Sequence, residues 1–333
     1  AGCVGPFSQN VTVVVTDDAI YEPGGNETFT LDLGAVTSGN AVVDPLNNSG
    51  LGQIIDNEVP PTVNLDSPTV AENAGTMTFT ATLSGAADVP LSVEWGTSQF
   101  TALFGFDYIA AGGTVNFAAY DASETFNVTI LDDNVWEPTE IFNLVMWNPL
   151  PVADLIVGAF GVGTITDDDP VPTLSVTDAG AFEGDAGLTA FTFTVNATNP
   201  SSVPMGVLFT TSDGTAISLP PGPVGWGDYN GGVGGLLIPP GATSGTFTVW
   251  VNGDLIQEST EVFTVTLSAP SNAVLDPLDF VGYGTIANDD TAYASISDVT
   301  ELEGDIGTRN AIFTITLSTQ VDIPTLVDYT VAV

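Results

Sequence analysis

One pattern of acidic segments returns in the same order along this 333-residue chain, and a repeat of that kind fixes the architecture before any single residue does. Its fullest copy has Val70-Ala71-Glu72, then Phe106-Asp107-Tyr108, then Thr129-Ile130-Leu131-Asp132-Asp133. It continues through Trp136-Glu137-Pro138-Thr139-Glu140 and ends at Gly163-Thr164-Ile165-Thr166-Asp167-Asp168-Asp169. The next copy has Phe182-Glu183-Gly184, Gly227-Asp228-Tyr229, Gly253-Asp254, Gln257-Glu258-Ser259-Thr260-Glu261 and Gly284-Thr285-Ile286-Ala287-Asn288-Asp289-Asp290. Glu72, Glu183 and Glu303 are 111 and 120 residues apart, the length of one immunoglobulin-sized module.

Four segments follow: residues 1–58 as the late half of a module, 59–169 and 170–290 as complete modules, and 291–333 as an early half. The first half carries Asp17, Asp18, Glu22, Asp56 and Glu58; the last carries Glu303. A half-sandwich leaves strand edges unpaired and one core face uncovered, so each half is expected to be completed by further chain or by another copy. A head-to-tail filament and a window on a longer repeat protein both satisfy that expectation, and module length favours the window.

Within the modules, apolar residues alternate with polar ones. Phe126, Val128 and Ile130 do so in one module and Phe247, Val249 and Val251 in the next; Phe142/Leu144/Met146 and Phe263/Val265/Leu267 form a second such pair. Gly, Pro and Asn clusters separate these runs, and no sustained helical stripe occurs. The expected fold is all-β: tandem immunoglobulin-like antiparallel β-sandwiches joined end to end. Trp95, Trp136, Trp147, Trp226 and Trp250 occupy no common repeat position and are read as core and edge packing rather than a sugar platform.

Charge excludes several partners. The chain has 41 acidic residues against one basic residue, Arg309, and no His, for a net charge of −40. Nucleic acid and anionic membranes call for Lys and Arg, so neither is expected to bind, and no apolar run is long enough for a membrane helix. Without His or Lys there is no imidazole base and no Schiff-base amine, and the expectation is that the chain is not an enzyme. Cys3, the sole cysteine, permits no intramolecular disulfide and no thiolate zinc cluster; it is read as a small buried residue rather than a lipid anchor.

In a sandwich, residues that close one strand and open the next share a tip, so each module's carboxylates can converge. Two of them about 4 Å apart repel by roughly 1 kcal/mol in water and about 4 at an effective dielectric near 20. Hard cations relieve that repulsion, and an all-oxygen shell suits Ca²⁺.

These motifs resemble the Calx-beta repeats, calcium-binding sandwiches of sodium–calcium exchangers and large extracellular adhesion proteins, over almost the whole chain. The resemblance implies calcium held by Glu72, Asp107, Asp132, Asp133, Glu137, Glu140, Asp167, Asp168 and Asp169. In the next module it implies Glu183, Asp228, Asp254, Glu258, Glu261, Asp289 and Asp290, with Gly253 and Asn288 standing where the pattern has Asp and weaker or fewer ions as the consequence. In the N-terminal half it implies Asp17, Asp18, Glu22, Asp56 and Glu58 as ligands, with Asn57 replacing an Asp, and in the C-terminal half Glu303.

The expected role is a structural segment of a secreted or surface-exposed protein, in which calcium stiffens modules into an adhesive stalk or extracellular fibre. Its partners would be neighbouring modules, further copies, or a cell-surface or glycan ligand. Two alternatives are a regulatory calcium-sensing domain pair and a non-catalytic appendage of a secreted glycan-active protein.

Overall fold

The period-two alternation becomes strands that bury every second side chain. In Thr76–Leu83 the residues Met77, Phe79, Ala81 and Leu83 point inward while Thr76, Thr78 and Thr82 face solvent. The computed structural model describes residues 8–39, 41–218 and 227–332; Cys3 and Trp226, read above from the sequence, lie outside them. By contacts the chain divides into two units, one of residues 1–133 and 138–168, the other of residues 134–137 and 169–333.

The first unit holds a sandwich of two sheets. The four-stranded sheet runs Ser123–Thr129, Thr76–Leu83, Thr62–Leu65, Ile156–Val157. The five-stranded sheet runs Thr69–Ala71, Gly161–Thr166, Glu140–Leu150, Leu91–Gln99, Gly112–Phe117. The second unit repeats that order strand for strand. Its four-stranded sheet is Ser244–Gly253, Gly187–Ala197, Thr173–Val176, Val274–Leu275, and its five-stranded sheet is Ala179–Phe182, Val281–Ala287, Glu261–Ser271, Met205–Asp213, Val233–Ile238. Most pairs are antiparallel, but the second strand of each sandwich joins the closing strand in parallel, Thr69–Ala71 on Gly161–Thr166 and Ala179–Phe182 on Val281–Ala287. The fold is all-β, two antiparallel-rich β-sandwiches in tandem along the chain.

Both cores are built around one aromatic stack. Tyr108 lies on Phe142 with ring centroids 4.4 Å apart, and Tyr229 on Phe263 at 4.2 Å. Phe79 and Phe193 meet those phenylalanines edge-on at 6.0 Å. The ring of Phe142 covers Gly163, where an added Cβ would lie 2.5 Å from it, and Phe263 covers Gly284 in the same way at 2.2 Å. The glycine of the recurring Gly-Thr-Ile motif is therefore the space in which the aromatic ring lies. A third instance stands near the N-terminus, where Phe29 pairs with Gly52 across the hairpin Asn26–Asp32 and Ser49–Ile55. Of the tryptophans, Trp95 is buried in the first core and Trp136 is partly buried, while Trp147 and Trp250 are more exposed.

The segments read as half-modules show little core. The N-terminal hairpin leaves Leu51 and Ile55 exposed. At the other end, the described residues beyond 290 contribute one short pair, Ala294–Ile296 with Ile315–Leu317, and leave Leu302, Ile312 and Phe313 exposed.

Candidate metal centre

Strand register brings the acidic segments together. Because Ala71 pairs in parallel with Thr166, the residues that follow each, Glu72 and Asp167, leave the sheet side by side. Glu72 then enters a single 3₁₀ turn, Glu72–Ala74, that ends at Gly75 with φ 69°. On the opposite sheet, Ser123–Thr129 runs out through Ile130 and Leu131 to Asp132 and Asp133. Leu131 N–H donates to the Asp107 carbonyl at 3.0 Å, and Tyr108 bridges Ile130. The Asp-Tyr dipeptide thus has two tasks: Tyr108 fills the core and thereby sets Asp107 at the rim.

Carboxylate oxygens of Glu72, Asp132 and Asp168 consequently lie within 4.8 Å of one another, Asp133 comes equally close to Glu72, and Asp107 approaches Glu140 within the same distance. Glu72 is only 5% exposed. Asn73 Nδ2 donates to Asp168 Oδ2, and Leu103 N–H to Asp107 Oδ2. Of the remaining residues named from the sequence, Asp167 follows the strand Gly161–Thr166 in this unit, while Glu137 and Asp169 fall in the segments of the second unit.

The second unit builds its tip by the same register. Phe182 pairs with Ala287, so Glu183 emerges beside Asn288, Asp289 and Asp290. Tyr229 bridges Val251, and Asn252 N–H donates to the Asp228 carbonyl at 2.8 Å. Two carboxylate triplets converge within 4.8 Å: Glu183 with Asp289 and Asp290, and Asp228 with Glu258 and Glu261. Asp254 accepts Ile256 N–H at 2.6 Å and adds its charge to both Glu183 and Glu258.

Electrostatic frustration is evident here. Glu183 is 2% exposed, and its Oε1 has no hydrogen-bond partner. Burial first, and then the carboxylates of Glu258, Asp254, Asp290 and Asp289, push its pKa up to about 8. Burial and the charges of Asp228, Asp254, Asp322 and Asp290 push Glu258 to about 7. Glu261 rises to about 8 through burial and a proton shared with Asp228. A buried carboxylate facing several others is costly unless a cation or a proton compensates it. The donors are all oxygen, as suits a hard divalent ion, and with no His and no cysteine besides Cys3 the chain offers neither the imidazoles nor the paired thiolates that zinc and copper sites favour.

Both departures from the acidic pattern have a physical reason. A Cβ on Gly253 would lie 2.1 Å from the Gly184 carbonyl, so the backbone around Glu183 leaves no room for an Asp there. Asn288 accepts Glu258 N–H at 3.1 Å and donates to the Asp290 carbonyl at 2.9 Å, a link that an aspartate could not make in full because it has no N–H to give.

Elsewhere the acids are looser. In the N-terminal segment Asp56 accepts the N–H groups of Glu22 at 3.2 Å and Glu58 at 3.3 Å, and Asp18 accepts that of Ile20 at 2.9 Å. Among the described residues, the converging triplets include neither Asp17, Asp18, Glu22, Asp56 and Glu58 nor Glu303.

Sequence reading missed three acids in these surroundings. Asp322 accepts Ser259 N–H at 3.1 Å and faces Glu258 and Glu261. Asp88 adds its charge to Glu22, and Asp185 to Asp290. The recurring tripeptides Asp88-Val89-Pro90, Ser202-Val203-Pro204 and Asp322-Ile323-Pro324 were the available signal for two of them.

Known proteins carry the same modules. The Calx-beta domain family matches residues 5–58, 56–169 and 167–298. The sodium/calcium exchanger Calx of Drosophila melanogaster is 30% identical over 111 residues, 33% of this chain and 12% of the exchanger. Extracellular matrix protein 3 of Lytechinus variegatus is 29% identical over 184 residues, 53% of this chain and 6% of that protein. The chain thus spans a small fraction of the length of either relative.

Among solved structures, CBD12 from CALX1.2 aligns with 68% of this chain and 99% of its own at 19% identity and a TM-score of 0.32. The apo-form Calx CBD1 domain aligns with 33% and 98% at 28% identity and a TM-score of 0.31. With scores this low, the fold assignment rests on the strand pairing described above. Calx-beta domains are calcium-binding, non-catalytic modules, and with three matched stretches this chain belongs to the Calx-beta domain family, with Ca²⁺ as its cofactor.

Proposed function

We propose that the chain is a structural segment of a secreted or surface-exposed repeat protein, non-enzymatic throughout, in which calcium at the sandwich tips stiffens consecutive modules into an adhesive stalk or extracellular fibre. The observation that carries this reading is the convergence of Glu183, Asp289 and Asp290, and of Asp228, Glu258 and Glu261, into triplets that repel in the absence of a cation. The 184-residue alignment with an extracellular matrix protein, longer than one module, supports the structural setting. The ligand sets are Glu72, Asp107, Asp132, Asp133, Glu137, Glu140 and Asp167–Asp169 in the module of residues 59–169, and Glu183, Asp228, Asp254, Glu258, Glu261, Asp289 and Asp290 in that of residues 170–290. Residues 1–58 and 291–333 are the parts of the flanking modules.

A second reading, a regulatory calcium sensor, draws on the alignment with the exchanger. Thermal melting with and without a chelator tests the calcium role common to both. Ions bound to the folded form alone raise its stability by mass action, so the melting temperature should fall when calcium is withdrawn. A chelator that leaves it unchanged sinks both readings.

A further inference from the structure

One backbone clamp occurs three times, each time at the residue just before a tip glutamate. Ile20 and Tyr21, ahead of Glu22, pair in parallel with Ala86 and Ala87. Trp136, ahead of Glu137, bridges Ser201, and Gln257, ahead of Glu258, bridges Val321, both also in parallel. The following N–H closes each clamp: Asp88 donates to the Tyr21 carbonyl at 3.1 Å, Ser202 to that of Trp136 at 3.1 Å, and Asp322 to that of Gln257 at 3.2 Å. Each pair lies within one unit. At the last clamp this register delivers the side chain at position 322 to the edge of the acidic tip of its own unit. The other two clamps hold Asp88 and Ser202 at that position.

Asp322 is oriented for such a role. Its Oδ2 accepts both Ser259 N–H, at 3.1 Å, and Ser259 Oγ, at 3.3 Å, which fixes the carboxylate. The hollow beneath it is lined by Ile256, Glu258 and Gln320. The tip it borders already contains a group that points to a ligand: Glu183, 2% exposed, whose Oε1 has no hydrogen-bond partner and faces Asp289 and Asp290. At the first clamp, Asp88 Oδ1 is shielded from solvent and likewise lacks a partner.

We propose that the loop before Ile323-Pro324 is a carboxylate arm: Asp322 completes the cation shell of the preceding module's tip. Calcium then ties this clamp to the tip, so metal loading and rigidity of the clamp become one equilibrium. This inference rests on the calcium reading of the tips and adds the donor from the following module.

Asp322→Asn tests it in the whole chain, because the amide oxygen can still accept from Ser259 while the charge is gone. Calcium is titrated calorimetrically, and amide hydrogen exchange is followed at Gln257 and Asp322 with and without calcium. The expected result is about tenfold weaker binding for one class of site, since ligand charge count sets calcium affinity, together with loss of the calcium-dependent protection of both amides. Ser259→Ala, which removes the orienting hydroxyl and keeps the charge, should retain most of the affinity. Unchanged affinity and protection in Asp322→Asn, or an equal loss in both variants, would overturn the carboxylate arm while leaving calcium at the tips. An unsubstituted chain that takes up no calcium sinks the calcium reading and this inference together.

Discussion

Gly253 separates what a single residue says from what its neighbours permit. Read along the chain, it is a missing Asp in an acidic pattern; in the fold, it is the one residue that fits against the Gly184 carbonyl. Restoring the pattern with Gly253→Asp is therefore expected to destabilise the second unit by about 1–3 kcal/mol, the usual cost of overpacking, without tightening calcium binding. A denaturant melt and a calcium titration of the variant measure the two effects, and tighter binding at unchanged stability would show that the approach is not limiting. Most tip acids were legible because they recur in order. Asp88 and Asp322 were not, because their loops are acidic in two copies and neutral in the third.

The raised carboxylates of the same tip predict a pH dependence. Glu183, Glu258 and Glu261 titrate near 7 to 8 in the calcium-free fold, against an ordinary value of 4.5. Between those limits the folded form holds protons that the unfolded chain has lost. Their contribution is thus fully present below about pH 4.5 and is lost as pH rises through 7 to 8. Chelated protein should accordingly melt at a higher temperature at pH 5.5 than at pH 8.5, and saturating calcium should flatten the difference. A melting temperature that climbs with pH in chelator would contradict the assignment.

At the scale of elements, alternation was enough to find the antiparallel strands, because a half-buried strand presents every second side chain to the core. It could not reveal the parallel edge pairing of Thr69–Ala71 with Gly161–Thr166. These segments are short, and their partners stand 95 residues away in sequence. That register nevertheless sets Glu72 beside Asp167, so two acids legible in the sequence are brought together by a strand pair that is not. The aromatic-over-glycine contact secures the neighbouring strand. Phe142 is fully buried, stacks on Tyr108 and lies over Gly163. Phe142→Ala should cost about 3–5 kcal/mol and loosen Asp107 through the freed Tyr108, weakening calcium binding as well as stability. A variant that loses stability while binding calcium as before would show that the tip is held independently of the stack.

For the molecule as a whole, repetition means that the acidic tip is built by the same topology in both sandwiches, and its surplus of negative charge has no basic counterpart in the chain: Arg309 is the only cation among 333 residues. The compensating charge must come from solution, which makes the tips sensitive to ion concentration. How sensitive depends on the setting. If the chain serves as an extracellular structural segment, its sites need hold calcium only where the ion is abundant, and dissociation constants of about 10⁻⁴–10⁻³ M are expected. At a free calcium concentration a hundredfold above such a constant, each independent site adds about 2.7 kcal/mol to the folded form. For a unit of this size each kcal/mol corresponds to roughly 2–4 °C of melting temperature. Calorimetric titration of the chelator-treated chain should then give weak binding together with a rise of several degrees on saturation. Submicromolar constants would instead assign these modules to calcium sensing, because such sites would respond at concentrations far below those a structural role requires.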